Sequence, residues 1–518
     1  MLDALLRKGY FPQELPPLFS TASFADYIAK NRNKLAAPYK QKKPIWTLPT
    51  YHNLARVGGL RRRLSVPNPF SFYRLVRAFD SNAKSLKTKW AVSKFSHTKP
   101  TLLAGQSRAI APSNFDRASP RAAIRVGARY LLKADVSQFY PSIYTHTIPW
   151  AVHTKAKAKT KMNDPKLFGN VLDKEIQACQ SGQTKGIAIG PDTSLGVAEL
   201  ILGDVDSRLS KACKISGGVR FIDDIELTFH RLADAEDALC RLEEFLYEYE
   251  LQLNSSKTKI VESPCGIDSA YVSQIRPHIP DKNKAVPSQW IDFFNRAYML
   301  AGEFPADGVL RYAVACVQDV RATSKTWKLA QTLLWQCVAG DPGCLRFVID
   351  VLWLNAHRDN ALVVDREMAE NALDSLIASS APVDHGSEVL WSIWAAMLFN
   401  LQLSDKSAAL VSRMEDSYIA SAAHLAHKRG VFSASPPTKV WGKWFEVDCF
   451  KDSQWLFVYE SYRQGWMSSN VKRAKLQKDD SCRLMKQAGV SFIDESAIEG
   501  YRPKRFKPII IVGGGGGY

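Results

Sequence analysis

Two adjacent carboxylates interrupt an otherwise apolar, β-branched run, Gly218-Val-Arg-Phe-Ile-Asp-Asp-Ile-Glu-Leu-Thr-Phe229, and this run constrains the chain most. The residues on either side read as two strands, so the aspartates fall at the tip of a β-hairpin. Charged pairs inside a β pattern are costly unless something compensates them. A bound cation is the economical explanation, and a tight turn is the bland one. The chain carries its own control: Asp479-Asp480 sits in a lysine-rich stretch that reads as a solvated helix surface.

The neighbourhood of the hairpin predicts an α+β layer. Arg129-Tyr-Leu-Leu-Lys-Ala-Asp135 reads as a buried strand ending in another carboxylate. Helical spacing over residues 148–161, 194–214 and 233–249 places helices over a small antiparallel sheet. Before it, residues 15–65 are rich in Pro, Lys and aromatics and read as short helices and extended arms. Pro67 and Pro69 force an extended connection, and residues 72–90 read as a helix ending in a basic cluster. From about residue 288 the strand signal stops. Residues 290–299, 308–318, 326–337, 345–354, 365–379, 388–403 and 406–428 read as helices with short polar breaks, as stacked helix pairs would. No strict repeat accompanies them. The tail ends in five glycines and Tyr518, a flexible leash. The expected organisation is thus residues 1–285 as one domain and 286–518 as a helical domain with that tail.

Composition narrows the class. Lys and Arg exceed Asp and Glu to give +18, with a pI near 9.4, which favours a polyanionic partner such as nucleic acid. The nine cysteines form no CxxC pair and read as reduced thiols in a cytoplasmic protein. No apolar run reaches the length of about 18 residues that a membrane span needs. Asp3, Arg7 and Lys8 make the start unlike a secretory signal.

Further motifs stand in order around the hairpin. Asp135-Val-Ser-Gln-Phe-Tyr140 precedes it, Gly186-Ile-Ala-Ile-Gly190 with Ser194 lies between, and Leu253-Asn-Ser-Ser-Lys257 follows. This order resembles the palm of reverse transcriptases. Leu5-Leu-Arg-Lys-Gly-Tyr-Phe-Pro-Gln-Glu-Leu-Pro-Pro17, Pro67-Asn-Pro69, Phe139-Tyr-Pro-Ser-Ile-Tyr-Thr-His-Thr-Ile-Pro-Trp150, Gln183-Thr-Lys-Gly, His385-Gly-Ser-Glu-Val-Leu-Trp391 and Gly489-Val-Ser-Phe492 look like the bacterial abortive-infection (Abi) and defence-associated reverse transcriptases. That resemblance implies a fingers-palm domain followed by an α-helical, HEAT-like domain. It also implies a homo-oligomer, trimer or hexamer, that protects bacteria from phages. Several members of that family make DNA without a nucleic-acid template, some of it attached to their own protein; others copy a non-coding RNA.

Carried residue by residue, the resemblance makes Asp135, Asp223 and Asp224 the catalytic carboxylates. With the Val136 carbonyl they would hold two Mg²⁺ ions, or Mn²⁺, about 4 Å apart, which clamp the attacking and leaving oxygens. Tyr140 would lie under the sugar and exclude a 2′-hydroxyl. Gly190 would belong to the dNTP site. Lys257 would approach the triphosphate and protonate pyrophosphate. Arg117, Arg121 and Arg125 would grip the triphosphate, a solvated face being the plain alternative. Tyr518 is a candidate priming hydroxyl on its leash, with Tyr10, Tyr39 and Tyr51 as others.

The departures weigh against ordinary template copying. Ala188 and Ile189 stand where templated enzymes carry Pro and Gln, and Glu199 stands where an Asn is usual. The expected partners are dNTPs, a DNA product and, in one reading, a bound non-coding RNA; no membrane is expected. Two rivals to template-independent, protein-primed synthesis stay open: an RNA-templated reverse transcriptase, and a nucleic-acid-binding scaffold with an inactive palm. Lysines 155, 157, 159 and 161 and Arg61-Arg62-Arg63 read as phosphate contacts or solvated faces. Trp441, Trp444, Trp455 and Trp466 read as core, and His385 as a structural hydrogen-bonder.

Overall fold

The computed structural model describes residues 1–31, 35, 37–40, 43–102, 108–110, 116–162, 164–435, 440–446, 448–466 and 476–503. Its centre is a four-stranded antiparallel sheet. The strands are β3 (Tyr130–Asp135), β4 (Gly217–Phe221), β5 (Asp224–Phe229) and β6 (Lys259–Glu262), in the order β4-β5-β3-β6. Leu131, Ile225, Leu227 and Phe229 are buried, because a central strand covered by helices needs apolar residues. The helices Asp192–Ala212 and Leu232–Glu248 pack together, and the second lies against β3 and β5. The expected strand, hairpin and following helix are all present. β6 adds a strand that its short, charged sequence does not announce.

The stretch read as short helices and extended arms also contains a hairpin. β1 (Thr50–Ala55) pairs with β2 (Arg61–Val66) in register from Thr50↔Val66 to Ala55↔Arg61. Gly58 and Gly59 turn the chain with φ of 70° and 71°, a region glycine enters without penalty. Far residues anchor the hairpin. His52 Nδ1 lies 2.7 Å from Asp416 Oδ2, and the Arg61 guanidinium meets both Glu388 oxygens. Arg63 stacks on the Tyr51 ring.

Three long helices expected from periodicity are each divided. Residues 72–90 become Pro69–Ser81 and Ala83–Trp90, with Asn68 capping the first through its side chain. Residues 148–161 become Thr147–His153 and Lys155–Thr160, separated by Thr154 at φ 80°. Residues 406–428 become Asp405–Val411 and Ser417–Lys428, where Asp416 accepts from the Tyr418 and Ile419 amides and starts a new helix. At the second and third breaks a capping side chain, Thr154 or Asp416, outweighs periodicity, and at the first Asn82 Nδ2 donates back to the Ala78 carbonyl and closes the earlier helix.

Past β6 the named elements among the described residues are all helical, from Ala270–Ile275 onward. Of the four tryptophans read as core, Trp441 and Trp455 are fully buried and Trp444 and Trp466 are partly buried against the core; Trp290 and Trp394 are fully buried as well. His424 lies in that aromatic packing, its ring 4.8 Å from Trp466 at an interplanar angle of 9°. His385 lies 3.6 Å from Glu388. The N- and C-terminal parts are joined directly. Phe19 bridges Ile493, the Ser20 amide donates to the Phe492 carbonyl, and Ser23 Oγ donates to the Ser491 carbonyl. No helix among the described residues is long and apolar enough to cross a membrane.

Candidate active site

The sheet brings the aspartates together by register. β3 and β5 align so that Asp135 lies opposite Asp224, and the β4–β5 turn sets Asp223 beside them. The turn is tight because Phe221 pairs with Asp224, and Ile222 takes a left-handed φ of 61°. A β-branched residue adopts that conformation only under external restraint. Burial first, then the charges of Asp135 and Asp224, pushes the Asp223 carboxyl up to about 7 from an ordinary 3.8.

Cations surround this negative charge. Lys257 Nζ lies 3.2 Å from Asp135 Oδ2, and Asn254 Nδ2 lies 3.3 Å from Asp135 Oδ1. The Asn254 amide donates to the Asp135 carbonyl and the Ser137 amide to the Gln252 carbonyl, fixing the backbone on both sides of Val136. Arg121 donates to Asp224 at 2.5 Å, and Arg117 lies 3.6 Å from the same oxygen. Both arginines also face the Phe221 ring, 5.3 Å and 5.6 Å from its centroid. They stand at the start and within a short helix, Ala118–Ile124, rather than in a loop.

Arg125, one helical turn beyond Arg121, is placed differently. It forms a bidentate pair with Glu226 and donates to the Cys265 and Gly266 carbonyls, so it is not gathered with the aspartates. Gly190 is also engaged elsewhere. Its carbonyl accepts from Arg108, and a Cβ at its φ of 131° would lie 2.5 Å from Pro12 Cγ. Tyr140 is buried on the short helix Phe139–Ser142, and its carbonyl accepts from the Ile187 amide, next to the Gly186–Gly190 turn. Tyr10 and Tyr39 are fully buried, and Tyr51 lies under Arg63. Tyr518 lies outside the described residues.

Sequence reasoning missed three participants. Arg56, at the end of β1, lies in the field of both Asp135 and Asp223. Asn254 and Glu226 hold Asp135 and Arg125. Only Asn254 had a local signal, its place three residues before Lys257.

A hard divalent cation fits this donor set. Asp135 and Asp223 supply carboxylate oxygens, and the Asp223 carboxyl, raised first by burial and then by the charges of Asp135 and Asp224, is one that a nearby cation would hold ionised. Asp224 is engaged by Arg121. Among the described residues no three His, Cys, Asp or Glu side chains form a closed metal-binding group.

The family described as "Reverse transcriptase (RNA-dependent DNA polymerase)" matches residues 71–283. No curated protein matches the chain. The match contains Asp135, Asp223, Asp224, Lys257 and the arginines of the Ala118–Ile124 helix. Such domains use divalent metals such as Mg²⁺, in accord with the oxygen donors above. Residues 71–283 are therefore a reverse transcriptase domain, and the chain is an enzyme of the RNA-directed DNA polymerase, nucleotidyltransferase, type.

Proposed function

We propose that this enzyme is an antiphage DNA polymerase that adds dNTPs to a protein or DNA primer without copying a nucleic-acid template. The observation that carries the reading is the state of the turn before the helix Asp192–Ala212. Ile189 stands where templated enzymes carry a base-pair-packing Gln. Its amide donates to Ser65 Oγ, and its carbonyl accepts from the Ser65 amide. The next residue, Gly190, is packed on Pro12 and bound to Arg108. This turn is committed to internal contacts. The defence role rests on the Abi-like motifs.

In this reading Asp135 and Asp223, with the Val136 carbonyl, would hold two Mg²⁺ ions, and bound there such ions would supply charge neutralisation for phosphoryl transfer to the primer hydroxyl. Lys257 and Arg121 neutralise Asp135 and Asp224 in the metal-free site. Released from them, Lys257 turns to the leaving pyrophosphate and donates a proton there. Arg121, Arg117 and Arg56 then face the triphosphate. Tyr140 sits under the sugar and selects deoxynucleotides. Arg125 orders the helix that presents Arg121.

The test uses purified protein freed of nucleic acid by nuclease and high salt, given Mg²⁺ and one labelled dNTP at a time. Label that migrates with the protein on a denaturing gel, loses that mobility when proteinase is added, and is absent in Asp223→Asn is the expected result. Label that requires a copurified, RNase-sensitive RNA would replace this reading with templated synthesis, which the net charge of +18 also accommodates. Plaque assays with Asp223→Asn test the defence role: protection that survives the substitution would remove the polymerase from it.

A further inference from the structure

The Asp223 turn is held from beneath by a buried ion cluster. The Arg220 side chain, on β4, is fully buried. Its Nη2 lies 2.9 Å from Glu199 Oε1, its Nη1 3.2 Å from Glu199 Oε2, and its Nε 2.8 Å from Asp206 Oδ2. The same Nη1 donates at 2.7 Å to the Ile222 carbonyl. Ser93 Oγ donates to the Asp206 carboxylate, closing the cluster on its far side. Glu199 and Asp206 lie two turns apart on one face of the helix Asp192–Ala212, and both are buried.

The peptide they hold is the strained one. Ile222 has φ 61°, which a two-residue hairpin loop asks of its first residue and a β-branched side chain tolerates poorly. Both of its backbone polar groups find side-chain partners, one two residues back and one far along the chain. The carbonyl is taken by Arg220, and the amide donates to Thr98 Oγ1 at 2.9 Å. Ile222 is thus pinned from both sides, immediately before Asp223. Stability does not require an ionic cluster in this place, since buried ion pairs are often matched by apolar residues of similar volume. Direction does require it: a guanidinium fixed by two carboxylates presents its remaining donor along one line.

We propose that Glu199 and Asp206, acting through Arg220, and Thr98 from the opposite side, are positioning residues that fix the Ile222–Asp223 peptide and so aim the Asp223 carboxylate. This rests on the reading of Asp223 as a metal-holding carboxylate. None of the four touches substrate; they act through the turn. The helix that begins beside the Gly190 turn thereby sets the geometry of the aspartate turn as well.

The test compares Glu199→Gln, Thr98→Val and the double variant in the full chain, with Asp223→Asn as the reference. Gln keeps the size and one acceptor of Glu199; Val keeps the shape of Thr98 without the hydroxyl. Each single variant should lower kcat for dNTP addition about tenfold while KM for dNTP changes less than about twofold. Each should raise the Mg²⁺ concentration for half-maximal rate several-fold. The double variant should lose less than the product of the two, because both act on one peptide. Parent kcat and parent Mg²⁺ dependence in both single variants would overturn the proposal. So would a rate loss that tracks lost ellipticity with the Mg²⁺ midpoint unmoved. If Glu199→Gln does not fold, Thr98→Val alone decides. Activity retained by Asp223→Asn would instead break the site reading, leaving the two failures distinct.

Discussion

The chain contains the same dipeptide twice, and the fold treats the copies in opposite ways. Asp479-Asp480 begins the helix Asp480–Gln487. The Asp479 carboxylate accepts the Ser481 and Cys482 amides, and Asp480 pairs with Arg483 at its surface. There the carboxylates satisfy orphan amides and favour the helix dipole. Asp223-Asp224 closes a hairpin, opposite a third aspartate and under a strained isoleucine. There burial first, and then repulsion among the carboxylates, pushes Asp223 up to about 7. One pair stabilises the protein that carries it. The other is maintained at a cost in stability, which is the signature of a group kept for chemistry.

That contrast can be broken most decisively at the chemical step. Asp223→Asn or Asp135→Asn should reduce nucleotide incorporation by about a thousandfold or more, measured with labelled dNTP. Incorporation within tenfold of the parent would mean that the hairpin is no more than a turn. The next effect lies in stability. Asp223 holds its proton to higher pH in the fold than its ordinary 3.8, so between about pH 4 and 7 the folded state binds more protons than the unfolded chain. Metal-free stability should therefore fall as pH rises through that window, by on the order of 4 kcal/mol from this group. Asp223→Asn should lack the fall and melt higher than the parent at pH 8 in EDTA. Saturating Mg²⁺ should raise the parent's melting temperature more at pH 8 than at pH 5. A flat metal-free profile would remove the asserted repulsion.

The smaller effects belong to the other pair. Asp479→Ala should cost about 1 kcal/mol of stability by removing an N-cap, with incorporation unchanged. Asp480→Asn should cost only a few tenths of a kcal/mol, since its partner Arg483 is exposed. A loss of incorporation in either would erase the distinction between the copies.

The active hairpin was legible because its strands are apolar and its carboxylates are not; the contrast is local. β3 was legible for the same reason. β1 and β2 were hidden by their polarity. Tyr51-His52-Asn53 and Arg61-Arg62-Arg63 look like solvated sequence, yet His52 and Arg61 are neutralised by Asp416 and Glu388, more than 300 positions away. The Gly58-Gly59 pair was the one local sign of that hairpin. The arginines before β3 were visible as a group, but their division was not. Arg121 goes to Asp224 and Arg125 to Glu226, because the two acids stand two residues apart on one face of β5 while the two arginines stand one turn apart along the helix. Glu199 was visible only as a departure; the buried guanidinium of Arg220 supplies the reason for an acid there.

The seam between residues 19–23 and 491–493 has a consequence for synthesis. Ser23 and Ser491 are separated by 468 positions, yet each donates to the other's neighbourhood. At roughly 5–20 residues per second, the early segment leaves the ribosome on the order of a minute before its partner exists. Its apolar residues Phe19 and Phe24 must wait through that interval without their final cover. The seam is therefore a late checkpoint of assembly: a chain cut short before it keeps its catalytic sheet but leaves an aromatic surface open to chaperones and proteases.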